Sequence, residues 1–201
     1  MEKEDKKLDI YEYIITNKNN GVSAMSLVDD PAVDIDFLTF KKQDKIEFKV
    51  QDKEKRIISG VALIPNKQIY RRDEQYGEYY AYFSKETVET LAYDFLLNNK
   101  QNNITLQHMS NGNGVKLIES WLSKNENELG LQTPKGTWYV SYKVENDEIW
   151  EEVKNGDFNG FSIEVYIPQV KVNLDKDISE LTDKEIDLLL AKIGDLFTNK
   201  K

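Results

Sequence analysis

The clearest strand pattern in this sequence is Phe158-Asn159-Gly160-Phe161-Ser162-Ile163-Glu164-Val165-Tyr166-Ile167. Successive side chains of a strand point to opposite faces, so Phe161, Ile163 and Val165 share one face. Ser162 and Glu164 share the other. The apolar face must pack on the core, which leaves the Ser162 hydroxyl accessible beside a carboxylate. An ordinary solvent-side serine has the same pattern, so this residue is a candidate nucleophile and no more at this point.

The rest of the chain predicts a mainly β (α+β) body. Strand-like runs occur at Leu8–Ile15, Ala24–Val28, Phe37–Phe40, Ile46–Val50, Arg56–Ile64, Tyr76–Phe83, Ile104–His108, Val115–Leu122 and Thr137–Val144. One amphipathic helix begins after a Ser84 cap and ends at Asn98-Asn99, and a shorter helix runs from about Asp147 to Gly156.

The division into segments follows from composition and helix signals. Residues 1–7 are nearly all charged and predict a disordered leader, and residues 8–167 form the β-rich domain. The polar segment 168–177 reads as a linker to a helical segment, 178–201, which has a capping box at Thr182 and Glu185. An apolar stripe on this last helix serves either for dimerisation or scaffold contacts, or for docking on the body.

Composition removes several functional classes. The 201 residues carry a formal net charge of −9, which disfavours nucleic-acid binding through a global positive field. The absence of cysteine excludes disulfides, thiolate catalysis and cysteine-ligated zinc. No apolar run is long enough to span a bilayer. We therefore expect a soluble intracellular protein with no membrane or nucleic-acid partner, no metal and no cofactor.

His108 is the single histidine, and it ends a strand at a turn rich in glycine and asparagine. An imidazole there could act as a general base, or could simply satisfy a turn carbonyl. A base of this kind needs a group that orients it. Glu119, which shares a strand face with bulky apolar neighbours, is the first candidate, and a surface salt bridge is the alternative reading. The competing carboxylates are Asp29, Asp30 and Glu164.

Several blocks of the chain resemble one family. They are Gly60–Ile69, Tyr79–Ser84, Leu106–His108, Leu117–Trp121, Pro134–Val144, Trp150 and Asn159–Glu164. In this order, over about residues 9 to 166, they resemble the XkdF-like serine proteases of tailed phages and prophages, which are relatives of the prohead (capsid maturation) proteases. The resemblance implies that Ser162 is the nucleophile and His108 the general base. It also implies the closed β-barrel that this group shares with herpesvirus assemblins.

One block stands in an unusual place. The segment Ala24–Ala32 is similar to one that follows the nucleophile strand in ordinary prohead proteases, whereas here it precedes that strand. This order indicates a circularly permuted barrel. The family's third catalytic residue, a glutamate, falls on Ala24, which cannot orient an imidazole. We therefore expect Glu119 in that role, with Asp29 or Asp30 next.

The function implied by the resemblance is a serine endopeptidase that cleaves scaffolding protein, major capsid protein and itself. It would act in the host cytoplasm inside the assembling procapsid, and a homodimer or larger homo-oligomer is possible. The alternatives are a catalytically inactive barrel that serves capsid assembly, and an unrelated binding module. In the binding module, aromatic residues would line a ligand groove: Tyr79, Tyr80, Tyr82, Trp138 and Tyr139.

Overall fold

A computed structural model describes residues 8–17, 19–29, 49–52 and 55–172. The strands in this part of the chain are β1 (Asp9–Tyr13), β2 (Gly21–Val28), β3 (Lys49–Asp52), β4 (Ile57–Leu63), β5 (Ile69–Asp73), β6 (Gly77–Phe83), β7 (Ile104–Leu106), β8 (Ser110–Asn111), β9 (Val115–Leu122), β10 (Trp138–Val144), β11 (Gly160–Tyr166) and β12 (Gln169–Lys171). The helices are α1 (Lys85–Leu97) and α2 (Asp147–Asn155), and Glu128–Gly130 form a 3₁₀ turn.

The described strands form three four-stranded sheets, in the orders β12-β1-β6-β5, β3-β4-β10-β9 and β11-β2-β7-β8. A barrel requires every strand to pair on both sides. In each of these sheets the first and last strands have one partner among the described residues, so none of the sheets closes. The mainly β class with two internal helices agrees with the sequence, but the expectation of a closed barrel is wrong. Alternation along a strand identifies the face that is buried, but it does not identify the strands with which that strand pairs.

The main core lies between the apolar faces of β2, β4, β10 and β11 and helix α1. Phe95 of α1 meets Trp138 edge-on with ring centroids 5.5 Å apart, and Phe161 of β11 lies 5.3 Å from the ring of Tyr142. Leu27 of β2 belongs to the same core. Because Phe161 points into the core, its neighbour Ser162 points to the other face of β11.

Both helices begin and end where the sequence predicts. The Ser84 side chain accepts the backbone N–H of Thr87 at the start of α1, and Asn98 is the C-cap. The Asn146 side chain accepts the N–H of Ile149 at the start of α2. Gly156 ends α2 with a φ of 83°, a left-handed conformation that glycine adopts without strain.

Other sequence predictions differ from the structure or lie outside it. Strands β5, β8 and β12 were not predicted, and β12 occupies part of the predicted linker 168–177, where it pairs antiparallel with β1. The leader 1–7, the predicted strand Phe37–Phe40 and the helical segment 178–201 lie outside the described residues. The described residues up to Lys171 belong to one compact unit. No described helix has the length and apolar character needed to cross a membrane.

Candidate active site

Three neighbouring strands place polar side chains side by side on the outer face of the third sheet. Ser162 of β11 is opposite Ser26 of the antiparallel β2, and Ser26 is opposite Thr105 of the parallel β7. Directly opposed residues share a face, and so do residues two apart on one strand. Glu164, which is opposite Ala24, therefore joins this row. The pleat alone brings two serines, a threonine and a glutamate together.

The turn after β7 carries His108. The N–H of Met109 donates to the carbonyl of Leu106 (3.0 Å), and both intervening residues are left-handed, with φ of 50° at Gln107 and 57° at His108. Such a conformation costs roughly 1 kcal/mol or more for a residue with a Cβ, so other contacts must stabilise it. One of them is the bond from the Gln107 N–H to the carbonyl of Leu27 on β2 (2.8 Å).

The His108 side chain contacts the carboxylate of Glu164. Imidazole Nδ1 lies 3.2 Å from Glu164 Oε1, and the Thr105 hydroxyl donates to the same oxygen at 2.6 Å. The side chains of His108 and Glu164 are 40% and 31% exposed. The threonine bond fixes the carboxylate, and the carboxylate occupies Nδ1. The imidazole nitrogen that remains for another partner is Nε2.

Ser162 lies in this row but makes no hydrogen bond with the imidazole. Among the described residues its hydroxyl forms no hydrogen bond with His108 or with any other group. The residue is 8% exposed, less than the strand pattern suggests. Catalytic hydrogen bonds are often long in the absence of substrate.

Glu119 is placed elsewhere. It lies on β9 in the second sheet, where Ser141 donates to its Oε2 at 2.8 Å and the Ser141 hydroxyl is 2.8 Å from that of Ser59. This serine–glutamate row gives the Glu119 carboxylate a hydrogen-bond partner beside its bulky apolar neighbours. Among the described residues, no hydrogen bond or ion pair joins Glu119 to His108.

The other carboxylate candidates do not contact the imidazole within the described part of the chain. The backbone of Asp29 is close to the histidine turn, because its N–H donates to Gln107 Oε1 (3.4 Å). Its carboxylate takes part in no hydrogen bond with another described residue. Asp30 lies outside the described residues. Of the three candidate carboxylates among the described residues, Glu164 is the one that contacts His108.

Sequence analysis missed Ser26 and Thr105, which complete the polar row. The available signal was a hydroxyl inside the otherwise apolar run Ala24–Val28, where a buried polar group needs a partner. Thr105 gave no such signal, because threonine is common in strands.

The aromatic groove of the alternative interpretation is not formed by the residues proposed for it. Trp138 and Tyr139 are fully buried, on opposite faces of β10. Tyr79, on β6 in another sheet, is 4% exposed and packs against Tyr11 and Tyr76. Within the described ranges, no group of three or more histidine or acidic side chains is arranged to hold a metal ion.

The fold and the site define a mainly β protein in which serine, histidine and glutamate lie on one face of one sheet. The chain belongs to the family described as "Putative phage serine protease XkdF", whose model matches residues 45–170. That range contains His108, Ser162 and Glu164.

Two proteins of Bacillus subtilis (strain 168) are similar to this chain. The phage-like element PBSX protein XkdF is 23% identical over 155 residues, which cover 73% of this chain and 52% of the relative. The uncharacterized protein YqbD is 24% identical over 153 residues, 72% of this chain and 44% of that protein. This chain therefore spans about half the length of the curated relatives it matches. No solved structure matches the chain.

Proposed function

We propose that this protein is a serine endopeptidase in which Ser162 is the nucleophile, His108 the general base and Glu164 the positioning residue for the imidazole. The observation that carries the proposal is the 3.2 Å contact between His108 Nδ1 and Glu164 Oε1, on the face of the sheet that also carries Ser162. Membership of the phage serine protease family supports the same assignment. Glu164 is opposite Ala24, so the carboxylate that the family resemblance places at position 24 is supplied by the neighbouring strand.

The reaction follows from the roles of these groups. Substrate binding brings Nε2 of His108 to the Ser162 hydroxyl. Oγ then attacks the scissile carbonyl carbon while its proton moves to Nε2. Glu164 stabilises the imidazolium through Nδ1–H, and backbone N–H groups near the nucleophile hold the oxyanion. The proton passes from Nε2 to the leaving amine as the C–N bond breaks, which leaves an acyl-enzyme on Ser162. Water then attacks the ester carbonyl carbon while His108 takes its proton. The C–Oγ bond breaks, the proton returns from Nε2 to Oγ, and the acid product leaves.

The proposed substrates are the phage scaffolding protein, the major capsid protein and the protease itself. Cleavage would take place in the host cytoplasm inside the assembling procapsid, with a homodimer or larger homo-oligomer as the active assembly. The family's description as a phage protease and the name of the phage-like element relative support a role in a phage particle.

A second candidate function is a catalytically inactive component of the assembling head. The observation that favours it is the lack of a hydrogen bond between Ser162 and His108 among the described contacts. An endopeptidase requires the Ser162 hydroxyl for its activity, whereas an inactive component does not.

The test compares the wild type with Ser162→Ala and His108→Ala for self-processing and for cleavage of the phage's scaffolding protein, read by gel and mass spectrometry. We expect the wild type to cleave and both variants to lose nearly all turnover. Ser59→Ala is the matched control, because it removes another buried strand serine, from a different sheet. Equal behaviour of all the proteins would overturn the endopeptidase proposal and leave the inactive component.

A further inference from the structure

Ser26 is a fully buried hydroxyl beside the candidate nucleophile. It is 0% exposed, and it lies directly opposite Ser162 in the β2–β11 ladder. A side chain so enclosed is inaccessible to a substrate carbonyl, so Ser26 cannot be the nucleophile itself. A buried hydroxyl nevertheless needs hydrogen-bond partners, and the identity of these partners indicates its role.

The partners of Ser26 lie at both ends of the stretch that presents the imidazole. Its Oγ accepts the backbone N–H of His108 at 2.9 Å. The one hydroxyl proton is within reach of the carbonyl of Thr105 (3.3 Å) and of Leu27 (3.4 Å). The N–H of the preceding residue, Gln107, donates to the carbonyl of Leu27. Strand β2 thus accepts two consecutive N–H groups of the turn. The Leu27 backbone carbonyl accepts one of them, and the Ser26 side chain accepts the other.

The turn needs such an attachment. Gln107 and His108 are consecutive left-handed residues that have a Cβ, and the histidine side chain extends from the second of them to reach Glu164. If the His108 N–H lost its acceptor, the peptide could rotate and carry the imidazole away from both Glu164 and Ser162. Catalytic geometry tolerates little displacement, since a shift of about 1 Å can cost about 100-fold in rate.

We propose that Ser26 is a positioning residue, whose hydroxyl holds the His108 N–H and thereby sets the imidazole over the sheet face that carries Ser162 and Glu164. The inference rests on the proposed function for its catalytic consequence. The effect of Ser26 on the position of the imidazole does not depend on that function.

The single histidine of the chain makes the test direct, because every imidazole signal in a nitrogen NMR spectrum belongs to His108. In the wild type we expect one tautomer, with the proton on Nδ1 facing Glu164. In Ser26→Ala we expect averaged ring-nitrogen shifts and a kcat lower by about 10- to 100-fold with little change in KM. Ser26→Thr, which keeps the hydroxyl, should restore the wild-type spectrum and most of the turnover.

Ser59→Ala is the control for the loss of a buried serine, since Ser59 is 1% exposed and lies in another sheet. It should leave the His108 spectrum unchanged. A folded Ser26→Ala with the wild-type spectrum and turnover would overturn the inference. If Ser26→Ala does not fold, amide hydrogen exchange in the wild type decides: the His108 N–H must be protected, and free exchange refutes the proposal. A wild type without protease activity would refute the proposed function alone, because the spectra would still test Ser26.

Discussion

Replacing Glu164 by glutamine tests the assignment of the positioning carboxylate. The substitution keeps the shape of the side chain and an oxygen that can accept the Thr105 hydroxyl, but it removes the negative charge beside His108. A charge pair 3.2 Å apart is worth about 1.3 kcal/mol in bulk water and about 5 kcal/mol at an effective dielectric constant of 20. The imidazolium formed during acyl transfer is the state that loses this stabilisation.

The exposure of the two side chains decides where in this range the effect falls. With 40% and 31% of their surfaces exposed, water screens much of the attraction, and we expect about 2 kcal/mol. This corresponds to a kcat about 30-fold lower. Glu164→Ala, which also removes the hydrogen-bond acceptor, should lose more.

The assay is turnover of a scaffold-derived peptide by purified variants, with a thermal melt to confirm folding. Glu119→Gln is the matched control, because it neutralises a carboxylate in another sheet that contacts Ser141. Normal turnover in Glu164→Gln together with a loss in Glu119→Gln would refute the reasoning and return Glu119 to the site.

Three further predictions concern the stability of the fold. Ser141→Ala removes hydrogen bonds to Ser59 and to the neighbouring carboxylate on β9, so the free energy of unfolding in urea should fall by about 2 kcal/mol with turnover unchanged. Phe95→Ala opens a cavity beside Trp138 in the main core and should lower the same free energy by about 3–5 kcal/mol. Burial, assisted by a hydrogen bond to a carboxylate, raises the pKa of Tyr79 to about 12. Since an unfolded tyrosine ionises near pH 10, stability should fall as the pH rises from about 10 to about 12, measured by urea melts at each pH.

Each of these three predictions can be contradicted by a specific result. A Ser141→Ala protein as stable as the wild type would mean that the serine row contributes nothing. A loss below about 1 kcal/mol for Phe95→Ala would mean that the core refills the cavity. Tyr79→Phe should show a weaker fall in stability above pH 10, and an unaltered fall would assign the effect to another tyrosine.

Much of the local structure was predictable because its signals lie within a few residues. Ser84 and Gly156 mark helix ends through their own backbone chemistry, and the alternation around Ser162 identified the face that points away from the core. The strand positions in β2, β4, β9 and β10 followed from the same rule. These features depend on neighbours in the chain, which a single sequence contains.

Strand pairing was not predictable in the same way. The closed barrel was expected from the family resemblance, and it is wrong because the edge strands of the three described sheets have a partner on one side only. Strand β12 was missed because its pairing with β1 joins distant parts of the chain. Sequence reasoning placed Glu119 with His108 because a carboxylate on an apolar face needs a partner. In the structure the partner of the Glu119 carboxylate is Ser141, on the adjacent strand.

The sequence by itself determined which residues could act: a single histidine at the end of a strand, a serine and a glutamate on one strand face, and no cysteine to offer another chemistry. The tertiary structure decided which of the carboxylates meets the imidazole, and it added Ser26 as the group that holds the turn. His108 and Glu164 are 56 residues apart and meet across strands β7, β2 and β11. Their contact depends on the register of two strand pairs, and register is a property of the assembled sheet.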